Sequence, residues 1–315
     1  MTECFIGIDT SNYTTSAAIC TKDGEIVANL KLPLPVKAGE CGLRQSDAVF
    51  AHVKNLPTIM QTLAGELQGM KPVAIGVSEA PRPQEGSYMP CFLSGIAAAQ
   101  SFATAAAIPL LRFSHQEGHI MAATYSAGAM HLLNTELFAA FHVSGGTTEV
   151  LLATPHARGF DIELFAATAD INAGQAIDRI GVMLGLQFPC GKELEKLAEK
   201  NEKKVPRSRI SVKDGYCNLS GLENMAAKLW QESGDAALVA AFTQQFIADT
   251  LIAMTKELDA RIPSLSIVYA GGVMSNRYLQ SRLSERENTY FAEPQFSADN
   301  AAGIALLCRK QHLKI

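Results

Sequence analysis

The stretch Phe-Ser-His-Gln-Glu-Gly-His-Ile, residues 113–120, sets His115 and His119 four positions apart. On a helix four residues advance about 400°, so the two imidazoles stand one above the other and can chelate a single ion. In the zinc-peptidase pattern His-Glu-x-x-His the general-base Glu follows the first ligand by one position, where it reaches a metal-bound water. Here the acid is Glu117, two positions on, which on a helix is about 200° round and off the metal face. The spacing supports a metal and argues against peptidase chemistry. Two protein ligands are too few for a catalytic centre, so a third must come from elsewhere in the chain. Without one, the pair reads as helical histidines satisfied by hydrogen bonds.

Three small-residue turns have the composition of anion sites. Asp9-Thr10-Ser11 ends one apolar run, Ser144-Gly145-Gly146-Thr147 ends another, and Gly271-Gly272 leads into Ser275-Asn276. Tight turns of this kind converge backbone N–H groups on an anion, and small side chains let phosphate oxygens come close. The glycine pair at 271 offers a similar approach to a ribose or base. None has P-loop spacing, and each taken singly is also an ordinary turn.

These groups need a frame, and apolar periodicity supplies one. Residues 4–11, 14–21 and 25–32 read as three consecutive antiparallel strands, the last two joined at Lys22-Asp23-Gly24. Residues 47–68 have helical spacing interrupted by Pro57, 71–79 form a short buried strand, 93–107 a helix, and 108–113 a strand before the helix with the His pair. From about residue 136 the same order begins again with three strands through residue 168. Helices are expected over 172–185, 191–200, 220–231 and 235–259. A buried strand then precedes the glycine pair, a helix opens at Ser275-Asn276, and a last one begins near Asp299. Segment 201–219 has weak periodicity and reads as an exposed loop. The result is a duplicated α/β architecture whose two glycine- and hydroxyl-rich turns can face each other across a cleft.

The chain's 315 residues, 48% of them hydrophobic, suffice for a large core and about two domains. The start lacks a basic and then apolar leader, and no apolar run approaches the roughly 18 residues of a membrane span, so the expectation is a cytoplasmic protein without membrane contact. Seven cysteines without a Cys-x-x-Cys suit buried free thiols in a reducing compartment. A net charge of −4 does not mark a nucleic-acid binder, so RNA contact would need a local patch. Residues 192–213 hold eight Lys or Arg against four Glu; a solvated mixed-charge helix explains them as readily as an RNA surface does.

Read together, GIDTS, HVSGGTT, AGQAIDRIGVMLGL, PCGKELE, SGLEN, AGGVMSN and SADNAAGIA, with HQEGH and His52 in AHVKNL, resemble the TsaD or glycoprotease-like family nearly end to end. The resemblance implies an α/β, duplicated actin-like ATPase (ASKHA, hexokinase-like) fold, with two ribonuclease-H-like domains around a nucleotide cleft. It implies a first domain of residues 1–108 with the C-terminal helix 299–315, and a second of 109–298 with a helical insertion at about 190–235. It also implies transfer of a threonylcarbamoyl group from its AMP anhydride to a tRNA adenosine beside the anticodon. Carried over residue by residue, it makes His115, His119 and Asp299 the metal ligands, holding one Fe²⁺ or Zn²⁺, with Mg²⁺ alongside an adenine nucleotide (ATP, AMP or acyl-AMP). Phosphate and acyl contacts fall on His142, Val143, Ser144, Gly145 and Gly146, beside the Asp9-Thr10-Ser11 turn. Ribose and base contacts fall on Asp178, Gly191, Glu195 and Asn276, near Gly271 and Gly272. Partners implied are tRNA and a degenerate homologue or second copy.

By residue type alone Asp299 is a helix N-cap and Asp178 a solvated helical acid. The chain also departs from the pattern. Where relatives carry Cys-Asp-Glu-Thr it reads Asn12-Tyr13-Thr14-Thr15, PRPQEGSYMP replaces a Gly-Pro-Gly loop, Thr147 replaces a His, and Asp170-Ile171 replaces Asp-Asp. The metal and nucleotide motifs are kept while the transfer segment is rewritten, so two readings stand: a transferase, or a nucleotide-binding paralogue with a regulatory or scaffold role. The position of Glu117 sets a metallopeptidase aside.

Overall fold

In the computed structural model residues 1–11, 13–35 and 43–315 are described; Asn12 and residues 36–42, with Cys41, lie outside them. The chain divides into two compact units, Met1–Ser126 with Thr154–Ile162 and Gln295–Ile315, and Ala127–Ala153 with Glu163–Pro294.

In the first unit β1 (Thr2–Asp9), β2 (Thr14–Thr21) and β3 (Ile26–Pro33) run antiparallel, followed by α1 (Gln45–Glu66), β4 (Met70–Ala80), α2 (Phe92–Ala106), β5 (Leu110–Ser114) and α3 (His115–Ser126). The sheet order is β3-β2-β1-β4-β5, with β4 parallel to β1 and β5 parallel to β4. From Cys4 to Asp9, β1 is buried at every position. It therefore reads as an unbroken apolar run, as a strand covered on both faces must. Ile6, Ile8 and Ile75 of the sheet pack with Leu56, Ile59 and Leu63 of α1 and Ala99 of α2. Helix α1 runs through Pro57 without a break. Its ring lies on the exposed side, and the buried stripe of Ala48, His52, Leu56, Ile59 and Leu63 holds the helix despite the missing amide.

In the second unit β6 (Phe138–Val143) and β7 (Thr148–His156) are antiparallel, and β8 (Gly159–Ala167) flanks β7. Then come α4 (Ala173–Met183), α5 (Gly191–Ala198), the short hairpin β9 (Val212–Lys213) and β10 (Tyr216–Cys217), α6 (Ser220–Ser233) and α7 (Ala236–Arg261). The chain ends through β11 (Ile267–Ala270), α8 (Arg277–Leu283), β12 (Thr289–Phe291), α9 (Pro294–Ser297) and α10 (Ala302–Leu313), with everything from Gln295 on within the first unit. The sheet order is β12-β11-β6-β7-β8, with β11 parallel to β6 and β12. Helix α7 is long and apolar enough to cross a membrane, yet 72% of its most apolar window is buried. It is the core helix of this unit, with Phe242, Phe246 and Leu251 against Phe141 and Tyr269.

Two expectations change, and one strand is new. The unit boundary expected at 108/109 falls at 126/127, because β5 pairs with β4 and α3 belongs with the first sheet. The loop 201–219 contains the β9–β10 hairpin, turned by Asp214-Gly215 at positive φ, a pattern that Asp-Gly favours. Strand β12, three residues long, is too short for a periodic signal.

Asp170, left over from the altered Asp-Ile pair, has a structural post. Its carboxylate accepts the N–H groups of Leu219 (2.8 Å) and Ser220 (3.0 Å) and the Ser220 hydroxyl (2.6 Å), tying the β8–α4 connection to the start of α6. Asp170→Ala is expected to cost about 1–2 kcal/mol, an exposed helix cap with charge-assisted bonds, and to lower the urea midpoint accordingly. An unchanged midpoint would remove Asp170 from the fold's supports.

Candidate functional site

The first unit assembles the candidate metal ligands around the junction of β5 and α3. Glu117 Oε2 accepts the Ser114 N–H (2.7 Å) and hydroxyl (2.8 Å), so its carboxylate organises the entry into α3 rather than facing the histidines. His115 Nε2 and His119 Nε2 lie 2.8 Å apart, and Asp299 Oδ1 is 3.4 Å from His119 Nε2 and 3.7 Å from His115 Nε2. Asp299 is brought in by α10, which meets α3 at glycines. A Cβ on Gly303 would overlap the Gly118 carbonyl, so only glycine permits this approach. Asn300 Oδ1, not Asp299, accepts the Ala302 N–H at the start of α10 (3.0 Å). Asp299 is therefore free of the capping task its position suggested.

The three residues suit a divalent ion. Their ligand atoms lie within 4.8 Å of one another, and ligands about 2.1 Å from a tetrahedral ion stand about 3.4 Å apart. The Asp299 distances match that spacing, and the imidazole pair needs to open by about half an ångström.

The structure adds a member that the sequence placed elsewhere. Asp9, fully buried, sets Oδ2 2.7 Å from His115 Nδ1 while its Oδ1 accepts the Ser11 N–H at 2.8 Å. Thr10 Oγ1 donates to the Cys91 carbonyl (3.0 Å) and accepts the Gly95 N–H (3.1 Å). Asp9, Thr10 and Ser11, expected to form an open anion turn, are instead buried and bonded among themselves and to α2. Asp9 engages Nδ1 of His115 and leaves Nε2 turned to His119 and Asp299, an arrangement that raises the basicity of a histidine that serves as a metal ligand. Burial by itself would lower the His115 pKa, but the Asp9 carboxylate, by charge and hydrogen bond, and Asp299 push it up to about 9. Burial likewise opposes ionisation of Asp9, and His115 overrides it, holding that carboxyl well below its usual range. Asp9→Asn is expected to weaken metal binding about 10- to 100-fold, measured by competition with a chromogenic chelator; equal affinity would make Asp9 a bystander. His52, buried against Thr15 Oγ1 (2.9 Å), is pushed below the ordinary histidine range by burial, partly offset by Asp9 and Asp299.

In the second unit the sequence-named nucleotide residues form one connected surface. Ser144 Oγ accepts the N–H groups of Gly146 (3.2 Å) and Thr147 (3.1 Å), shaping the turn after His142 and Val143, while the Gly145 N–H has no partner among the described residues. Open space surrounds a Cβ position on Gly145, Gly146, Gly191 and Gly272. Gly271 differs: its φ is +101° and a Cβ there would overlap the Val143 carbonyl, so glycine seats β11's end against that turn. Asp178 Oδ1 accepts the Cys190 N–H (2.8 Å) just before Gly191. Burial pushes its pKa above the ordinary carboxylate value, against that hydrogen bond. It is thus a half-buried helix anchor rather than a solvated acid. Glu195 Oε1 accepts the Arg277 N–H (2.6 Å), and Asn276 caps α8 through the Leu279 N–H (3.0 Å). Glu195, Gln244, Arg277 and Tyr278 line a cavity of about 280 Å³.

Tyr13, 43% exposed, and Thr14 occupy the turn from β1 to β2, where Thr14 N–H donates to Ser11 O (3.2 Å). Neither is a base at neutral pH, and Asn12 lies outside the described residues.

Two α/β units, each with three antiparallel strands extended by parallel ones, define an actin-like, hexokinase-related fold. HypF from T. kodakarensis superposes with a TM-score of 0.63 at 12% identity, covering 99% of this chain and 48% of that one. A ROK family glucokinase from Streptomyces griseus gives 0.51 at 12% identity, covering 98% and 99%. Residues 39–306 match the TsaD family, described as tRNA N6-adenosine threonylcarbamoyltransferase, and the chain belongs to that family. The protein of that name from Thermus thermophilus is 32% identical over 316 residues, spanning 98% of this chain and 92% of the relative.

Proposed function

We propose that the protein transfers a threonylcarbamoyl group from its AMP anhydride to N6 of an adenosine beside the anticodon of tRNA, in the cytoplasm. The His115–His119–Asp299 cluster, with Asp9 behind it, carries this reading. A scaffold has no evident use for two imidazoles and a carboxylate aimed at one point. The adenosine amine forms a new C–N bond to the carbamoyl carbon, the bond from that carbon to the anhydride oxygen breaks, AMP leaves, and the amine loses one proton. This transfer needs no covalent nucleophile from the protein.

His115, His119 and Asp299 would hold one Fe²⁺ or Zn²⁺, which would supply Lewis-acid chemistry for an acyl or phosphoryl oxygen, and Mg²⁺ would accompany the nucleotide. The protein's own residues do the positioning. The Gly145 N–H and the turn from His142 to Gly146 receive phosphate, where a fixed donor is worth more than water. Asp178, Gly191, Glu195, Gly271, Gly272 and Asn276 form the ribose and base surface. A degenerate homologue or a second copy of the chain is the proposed protein partner.

Calorimetry with AMP and ATP tests the nucleotide half of this reading. Gly145→Val is expected to raise the Kd about tenfold or more with little change in stability, since a Cβ there meets no atom within 4 Å beyond its chain neighbours but blocks the backbone approach of phosphate. Wild-type protein indifferent to every adenine nucleotide at millimolar concentration would refute it. The chemical half is read by mass spectrometry of tRNA after incubation with threonylcarbamoyl-AMP.

A further inference from the structure

The basic excess of residues 192–213 lies partly in one groove. The connection from α5 to β9 is pinned along its length. Asn201 Oδ1 accepts the Lys203 N–H (3.2 Å) and its Nδ2 donates to the Lys203 carbonyl (2.7 Å). Lys203 Nζ pairs with Asp235 (2.7 Å), and Gln245 Nε2 donates to the Pro206 carbonyl (3.4 Å). Held this way, the segment forms one wall of a groove of about 920 Å³, lined by Lys204, Arg207 and Ser208 together with Gln245, Asp249 and Arg282.

The charges in it do not cancel. Arg282 binds Asp249 at 3.0 Å, which neutralises that carboxylate. Lys204 and Arg207 have no ion-pair partner among the described residues. Two uncompensated cations therefore share one groove in a chain of net charge −4. The remaining polar lining is a hydroxyl and an amide, groups that bind phosphate and sugar oxygens alongside Arg and Lys. Val205 and Pro206 are its apolar lining. A protein interface draws its affinity from buried aromatic or aliphatic anchors, and this groove lacks an aromatic one.

We propose that this groove, presenting Lys204 and Arg207 on a pinned loop, binds the phosphate backbone of the tRNA substrate. The proposal rests on the transferase reading and names the surface that holds the acceptor's body, away from the reacting base. Phosphate contacts position an RNA without reading its sequence, so affinity here is salt-dependent and tolerant of tRNA identity.

The test measures binding of a tRNA transcript to the full-length protein by fluorescence anisotropy between 50 and 300 mM salt, for wild type, Lys204→Glu with Arg207→Glu, and the conservative Lys204→Arg with Arg207→Lys. The charge-reversed protein is expected to lose about tenfold or more in affinity at 0.15 M salt. Its log–log salt slope should shrink by about 1.4 to 1.8, the share of two phosphate contacts. The conservative variant should keep both, and AMP affinity should be unchanged in all three. If charge reversal misfolds the chain, Lys204→Ala with Arg207→Ala provides the same comparison. Affinity and slope within twofold of wild type in the charge-altered protein, while wild type still modifies tRNA, would overturn the groove and leave the transferase reading standing. Wild type that neither binds nor modifies tRNA would overturn both. Loss of an acidic protein's binding with tRNA affinity intact would assign the groove to that partner and also overturn it.

Discussion

His119→Ala is expected to empty the metal centre, with ions per chain on freshly purified protein falling from about one to near zero, because three protein ligands are the minimum for such a site. Asp299→Ala should do the same, since it removes the charge that offsets the ion as well as a ligand. Stoichiometry unchanged in both variants would sink the site. Metal stripping adds a pH signature. In the stripped protein His115 titrates near 9 in the folded state, above the ordinary value of about 6.5 for an unfolded histidine. A raised folded pKa contributes stability that is complete below about 6.5 and is lost as pH rises through about 9. The melting temperature of stripped protein should therefore decline across that window. Loaded protein should not follow it, since the ion and not a proton then occupies His115. Parallel declines would show that His115 does not exchange its proton for metal.

Tyr13→Asp with Thr14→Glu is expected to raise the rate of threonylcarbamoyl transfer to tRNA by about 10²-fold or more, the lower end of what a positioned acid or base contributes. Tyr13 and Thr14 follow Ser11 by two and three residues, and the Ser11 N–H is bound to Asp9, so new carboxylates there would stand near the same corner as the Asp9–His115 pair. Two negative charges could orient the attacking amine or recruit a cation. AMP affinity should change little, because Gly145 and the residues around Glu195 are untouched. The comparison is a transfer assay on wild type and double variant, with partner proteins present. A double variant no faster than wild type would show that the rewritten segment has not impaired the site.

Much of this was legible in the chain because local rules sufficed. The four-residue spacing of His115 and His119 on a helix is a property of helix geometry and needs no tertiary information. The repeated order of three strands, and the turns at Ser144 and Gly271, follow from periodicity and small-residue composition. The identity of the third ligand came from family resemblance, since nothing local distinguishes Asp299 from a helix cap. Tertiary packing decided where Asp299 stands: α3 and α10 approach at Gly118 and Gly303, which sets its carboxylate beside the two histidines, and Asn300 takes the capping bond.

Asp9 shows the opposite case. Its sequence neighbours Thr10 and Ser11 suggested an open phosphate turn, because small polar residues after a strand look the same whether they face solvent or the interior. Only the arrival of α2 at Thr10 and of His115 at Asp9, 106 positions away in sequence, makes that corner the support of the His115 ring. Glu195 and Asn276 were likewise nameable, but it took the fold to set Glu195 of α5 against the N–H of Arg277, the residue after Asn276. Charge in the 192–213 segment was countable from the sequence. Whether those cations were spent on ion pairs was not, because pairing depends on which acids the fold brings within about 4 Å. Asp235 neutralises Lys203, and Lys204 and Arg207 are left facing the groove.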